Sequence, residues 1–162
     1  MRRYTLLIGA LLALGMLLGA CSTGSKIPGL RELGELSGLT PGDEERISGV
    51  LDAVYRGMQQ RNLKKVLAHV SPDYEDQEGR DYAGLEEYLK SMFKNYRDIR
   101  ITRVAPQIVV QGDTAQAVET FGTVAEPENP NENVPINMQG QVTVRLEKAE
   151  GKWRIVEWGR ML

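Results

Sequence analysis

Among its 162 residues the chain has one cysteine, one histidine, two tryptophans and two phenylalanines. A single cysteine excludes an internal disulfide and any cysteine-cluster metal site. His69, the only histidine, stands without clustered carboxylates and supplies too few ligands for a metal site. There is no phosphate-cradling glycine loop, no nucleophile elbow and no zinc-binding helix motif, so no cofactor or metal is expected. Positive charge is not in excess: 20 basic residues face 22 acidic ones, for a net −2. Without a leader containing Arg2 and Arg3 the balance is 18 against 22, or −4. That balance provides no broad electrostatic attraction for nucleic acid or anionic lipid, and nucleic acid is not an expected partner. No internal repeat appears.

What remains is enough for one domain of ordinary size plus extra sequence, with 41% hydrophobic and 26% charged residues. The first 20 residues read as a secretory signal peptide. Arg2 and Arg3 precede an apolar run from Tyr4 to Leu18, and the small residues Gly19 and Ala20 come just before Cys21. The run is short for a bilayer span, which needs about 20 apolar residues.

Leu18-Gly19-Ala20-Cys21 resembles the bacterial lipoprotein cleavage box, with Gly19 the unusual position. That resemblance implies a Cys21 lipidated on sulfur and acylated on its freed amine, which holds the chain to a membrane without a spanning helix. The alternative is a plain thiol after an ordinary signal peptide or uncleaved anchor. The only cysteine sits where lipidation requires it, which favours the first reading. Ser22 after the cysteine, rather than aspartate, implies sorting to the outer membrane, facing the periplasm.

Residues 21–39 contain Gly24, Gly29, Gly34 and Gly38 and read as a tether. Leu30, Leu33, Leu36 and Leu39 recur within it, so a docking segment is the competing reading. The domain is expected over 40–162. Thr40 as cap, Pro41 at the first helical position and Asp43 to Glu45 predict a helix start. Ile47, Val50, Leu51, Val54 and Met58 follow at helical spacing. Asn62 predicts a second cap, ahead of Leu63, Val66, Leu67 and Val70, and Ser71-Pro72 stops that helix. Leu85, Leu89, Met92, Phe93 and Tyr96 mark a third helix.

After Asp98 the period changes to two. Ile99 to Gln111 predicts a strand that Pro106 interrupts or bends. Gly112-Asp113 turns into a strand from Thr114 to Ala125, and Glu126 to Asn133 reads as a loop. From Ile136, residues 136, 138, 140, 142, 144 and 146 form one apolar face opposite a polar one. Ala149-Glu150-Gly151 turns the chain into a return strand from Lys152 to Arg160. The expected class is α+β, with three helices followed by four antiparallel strands.

This order resembles the nuclear transport factor 2-like superfamily, also called the SnoaL-like or ketosteroid-isomerase-like cone fold. The resemblance covers roughly 43–162. It rests on Arg61-Asn62-Leu63, on Ser71-Pro72-Asp73-Tyr74-Glu75-Asp76, on Gly79, and on Glu150-Gly151-Lys152-Trp153-Arg154-Ile155. It implies three helices packed on a strongly bent four-stranded antiparallel sheet, a cavity at the open end of the cone, and often a homodimer through the outer sheet face, where Gln139, Gln141 and Thr143 would lie. The fold serves isomerases, dehydratases and cyclases as well as non-catalytic modules, so it does not decide function. Several enzyme-like relatives carry a histidine where Gln77 stands, and a glycine-aspartate where Arg61-Asn62 stands. Both departures weaken a catalytic reading.

The candidate acid-base residues are Asp73, Tyr74 and Glu119. A buried aspartate could remove a proton beside a carbonyl and a tyrosine could donate to the oxyanion, a pairing found in ketosteroid isomerase. The competing reading is a solvated turn, with Tyr74 packed inward and the aspartates Asp73 and Asp76 capping amides. Glu119 shares a strand face with Phe121 and is a buried carboxylate only if that face is concave. His69 reads as a helix-end histidine favoured by the dipole, with a general base the lesser alternative. Tyr55, Tyr88, Tyr96, Phe121 and Trp153 are the candidate pocket residues, though such an aromatic set is more often core. The expectation is a membrane-anchored envelope module that binds a small apolar ligand or a protein partner. An acid-base enzyme and an envelope assembly component are the alternatives.

Overall fold

The computed structural model describes residues 42–160. The expected signal peptide, Cys21, the tether and the Thr40-Pro41 helix start lie outside them. Helix α1 spans Asp43–Gln59, with Gly42 at the cap position offering no side-chain bond. Asp43 is the first residue of this described helix. Asp43, Glu44 and Glu45 fill the first turn and Arg56 the last, each at the end of the helix dipole that favours its charge. Asp43 also pins the helix to the sheet. It accepts from the Trp153 indole N–H at 2.9 Å and from Lys148 Nζ at 3.1 Å.

Ile47, Leu51 and Val54 are fully buried, so the helical spacing read from sequence faces the core. The short helix α2, Leu63–Leu67, is capped as expected, the Asn62 side chain accepting from the Lys65 amide at 3.0 Å. Where α1 meets α2 there is no room for a side chain. A Cβ on Gly57 would stand 2.9 Å from Val66 Cγ2 and 3.1 Å from Val66 N. Helix α3, Tyr82–Asn95, starts on Asp81, whose carboxylate accepts from the Gly84 amide at 2.8 Å. Leu85 and Leu89 are its buried residues.

Tyr96 does not extend α3. It is already extended backbone and opens β1, Tyr96–Arg103, because it pairs with Pro127 across the sheet. The strand therefore begins before Asp98, which sits at a bulge with φ 52. Pro106 interrupts the edge as expected, and β2 resumes at Gln107–Gln111. Strand β3 runs Thr114–Pro127, two residues beyond the expected end at Ala125. Strands β4, Ile136–Ala149, and β5, Lys152–Trp158, complete the sheet.

The order is β1-β3-β4-β5, with β2 pairing the first half of β3 and β1 the second half. Four rows thus hold five strand segments, all antiparallel, curled into a half-barrel around the helices. Glu150 and Gly151 both have positive φ, 52 and 73, as a type I′ hairpin turn requires, and they join β4 to β5. The far edge of β5 is covered: Ser71 N–H donates to Ile155 O at 2.8 Å and Glu75 N–H to Val156 O at 3.1 Å.

The contact at Gly57 sets a test. Gly57→Ala should lower the unfolding free energy by about 1–3 kcal/mol through overpacking against Val66. That outweighs the roughly 1 kcal/mol by which alanine favours a helix over glycine. Urea midpoints measure it, and an unchanged or raised midpoint would show that α1 and α2 separate freely.

Candidate functional site

The concave face of the sheet is filled unequally. At one end Ala115, Ala117, Val142, Val144 and Leu146 are buried in the core cluster with α1 residues Ile47, Leu51 and Val54. At the other end Thr123, Ala125, Ile136 and Met138 line a cavity of about 240 Å³. Its remaining walls include Tyr55 and Met58 of α1, Leu85, Tyr88 and Met92 of α3, and Trp158 of β5. Every methionine among the described residues, namely Met58, Met92 and Met138, reaches this space. A thioether on an unbranched chain adapts its shape, so this lining suits apolar guests of varied outline.

Glu119 lies at the boundary between the two halves. Its strand face is the concave one, and its exposure is 0%. The Tyr55 hydroxyl donates to Glu119 Oε2 at 2.6 Å, and Arg103 Nη1 donates to Oε1 at 2.6 Å. The Arg103 guanidinium lies 4.7 Å from the Tyr55 ring centroid and also pairs with Asp52. Burial, and then the Glu119 charge and hydrogen bond, push the Tyr55 phenol far above its usual range, so it stays a neutral donor. Both Glu119 oxygens are engaged, and the carboxylate itself does not line the cavity.

The segment after α2 separates its acidic residues. Asp73 is exposed and lies on the outer side of the chain, beside Glu75 and Gln77. Tyr74 is buried, lines the cavity, and donates its hydroxyl to Asp76 Oδ2 at 3.3 Å. Asp76 is 5% exposed and closes the turn: Oδ1 accepts from the Glu78 and Arg80 amides, both at 2.9 Å. Arg80 Nε donates to Oδ2 at 2.7 Å. Burial raises the Asp76 pKa, but the Arg80 amide, the Arg80 guanidinium and the Glu78 amide outweigh it and hold the carboxyl low. The Arg80 guanidinium stands 4.7 Å above the Tyr88 ring, and both residues line the cavity.

Of the sequence candidates, Tyr55, Tyr74, Tyr88 and Phe121 come together around the cavity. Tyr96 and Trp153 do not. Tyr96 turns the chain from α3 into β1, and Trp153 anchors the start of α1 through Asp43. Sequence reasoning missed Arg103. Counting by twos from Ile99 places it inward like Glu119, so an opposite charge on the same concave face was there to be found. His69 is half-buried directly after the cap of α2, and burial, followed by the nearby Arg56 charge, lowers its pKa. Among the described residues no three His, Cys, Asp or Glu side chains group to hold a metal.

The SnoaL-like domain family matches residues 47–159. This chain belongs to the SnoaL-like family. No curated protein matches it in sequence. Its SnoaL-like fold is shared with a candidate aromatic ring hydroxylase from Novosphingobium aromaticivorans, at TM-score 0.65 and 15% identity over 75% of this chain and 90% of that one. A candidate scytalone dehydratase from the same species aligns at TM-score 0.64 and 13% identity, covering 83% and 88%. A nuclear transport factor 2-like superfamily protein from Salmonella enterica serovar Typhimurium aligns at 0.61 and 17%, covering 72% and 87%. At these identities the likeness establishes the cone fold and leaves the chemistry to the residues.

Two consequences for this SnoaL-like domain are measurable. Arg103→Met leaves Glu119 buried without its counter-charge and should cost about 3–5 kcal/mol, whereas Arg103→Met with Glu119→Leu should recover most of that loss. Chemical denaturation of the single and double variants checks it; equal losses in both would refute the pairing. Asp76 has a folded pKa below its unfolded value, so its stabilisation is complete above the unfolded pKa of about 4 and is lost as pH falls through the folded one. Asp76→Asn should therefore be less stable than the parent at pH 7, and the difference should shrink as the pH drops below about 4. Denaturation midpoints across that range provide the measurement.

Proposed function

We propose that this domain is a non-enzymatic binding module for a small apolar ligand, carried by a lipid-anchored protein of the bacterial envelope. One observation carries the binding half: the cavity walls are largely apolar, while both buried carboxylates, Glu119 and Asp76, lie outside the lining with their oxygens engaged. A general base needs a free oxygen within hydrogen-bond reach of substrate. The volume of about 240 Å³ lies below the roughly 300–1,000 Å³ of drug-sized sites, which favours a small guest.

The anchoring half rests on Leu18-Gly19-Ala20-Cys21 and on the tether after it. In this reading acyl chains on Cys21 hold the domain at the outer membrane, facing the periplasm, with Ser22 permitting that sorting. No helix among the described residues is long and apolar enough to cross a membrane. Homodimerisation through the outer sheet face is a subsidiary proposal. That face carries Gln116, Thr120, Gln139 and Gln141, with Val109 and Val124 as its exposed apolar residues, so such contacts would be largely polar.

A second reading has two supports. Glu119 is hydrogen-bonded to Tyr55, which does line the cavity, and a structural neighbour is a candidate scytalone dehydratase. An acid-base enzyme would require Arg103 to release Glu119 once substrate is bound.

Native mass spectrometry of the chain extracted from its own membrane tests both halves. The expected result is acyl mass on Cys21 and a small apolar molecule retained by the parent and lost from Met138→Trp, which fills the cavity. An unmodified thiol would overturn the anchor, and an empty parent the binding. Chemical conversion of the ligand that disappears in Glu119→Gln would replace binding by catalysis.

A further inference from the structure

The near-neutral composition conceals a segregation of charge. On the side of α1 away from the cavity, two shallow grooves meet at Ala68 and His69. Their linings include Arg46, Arg56, Lys65, His69, Lys152 and Arg154, and no carboxylate. The floor is small: Val50 and Ala53 occupy the helix stripe between the two arginines of α1. From Arg46 to Gln60 this stripe extends about 21 Å at 1.5 Å per residue.

Three elements bring the cations together. Helix α1 contributes Arg46 and Arg56, the Asn62-capped α2 places Lys65, and the tight turn at Glu150-Gly151 projects Lys152 and Arg154. Arg46 has a carboxylate near it, Asp43 at 3.6 Å, which is shared with Lys148 and Trp153. Arg56, Lys65, Lys152 and Arg154 form no ion pair among the described residues. Elsewhere the acidic residues take up most of the arginines: Arg80, Arg97, Arg103, Arg145 and Arg160 are all paired. Unpaired cations on one face of a net acidic chain leave a local positive field. His69, between the grooves, already feels the Arg56 charge.

We infer that this face is an interaction surface for the phosphate head groups of an anionic lipid bilayer. Its shape selects a surface over a single free anion. The cations are spread along an open stripe and do not converge on a closed pocket, and the charged groups are exposed or half-buried. The choice of a bilayer also draws on the anchored reading, in which acyl chains on Cys21 keep the domain at a membrane. The charge arrangement itself does not depend on that reading.

Amine acetylation of the full chain, read lysine by lysine by mass spectrometry, tests the inference. The comparison is between phosphatidylcholine vesicles and vesicles mixed with phosphatidylglycerol. Lys65 and Lys152 should be protected only by the anionic vesicles, and Lys94, an exposed lysine on α3, by neither. The protection should fade with added salt. Arg56→Ala and Arg154→Ala should each weaken the preference for anionic vesicles by about fivefold. Equal labelling of Lys65 and Lys152 with both vesicles overturns the inference, as does equal protection of Lys94. Inorganic phosphate protecting as well as the vesicles overturns the bilayer in favour of a free anion. Association with pure phosphatidylcholine reports the acyl anchor separately, so failure of one reading is distinguishable from failure of the other.

Discussion

The uninterrupted pairing of β3 with β4 is the constraint on which the rest depends. Twelve residue pairs, from Thr114 with Glu147 to Ala125 with Ile136, keep one register without a bulge. Because side chains alternate, that register sends the odd residues of β3 and the even residues of β4 to the same concave face. One face then has two tasks. Its Ala115-to-Leu146 end seals against α1, and its Ala125-to-Ile136 end remains open to the cavity. A slip of one residue would expose the core and fill the cavity with glutamine and threonine.

Glu119 stands where the two tasks meet. A carboxylate at zero exposure is costly unless it is paired, and here Arg103 from β1 and Tyr55 from α1 supply that pairing. The cluster binds helix α1 to the sheet, with Tyr55 also on the cavity wall. Each Glu119 oxygen accepts from one of these donors, and Asp76 is engaged in the same manner at the turn around Gly79. Both buried acids thus tie elements together, beside an apolar cavity that Met58, Met92 and Met138 line.

Charge follows a similar logic at the surface. Carboxylates and arginines pair along the turn after α2 and at the cavity rim, while Arg56, Lys65, Lys152 and Arg154 form no ion pair among the described residues. A net charge averages these regions together. Electrostatic attraction falls off within roughly 10 Å at moderate salt, so a partner feels the local arrangement and not the sum.

Local pattern was legible without tertiary information. The helical stripes, the Asn62 cap, the interruption at Pro106, the two-faced β4 and the hairpin at Gly151 all depend on neighbours within a few residues, and together they implied the α+β class. What lay beyond them required contacts between distant positions. Tyr55 meets Glu119 across 64 residues, and Asp43 meets Trp153 across 110. Periodicity could show that Glu119 and Phe121 share a face, but only the register with β4 showed that the face is concave. The same separation decided which aromatics reach the cavity and which, like Trp153, anchor a helix instead. A sequence specifies which side of an element is apolar; the packing of elements specifies what that side encloses.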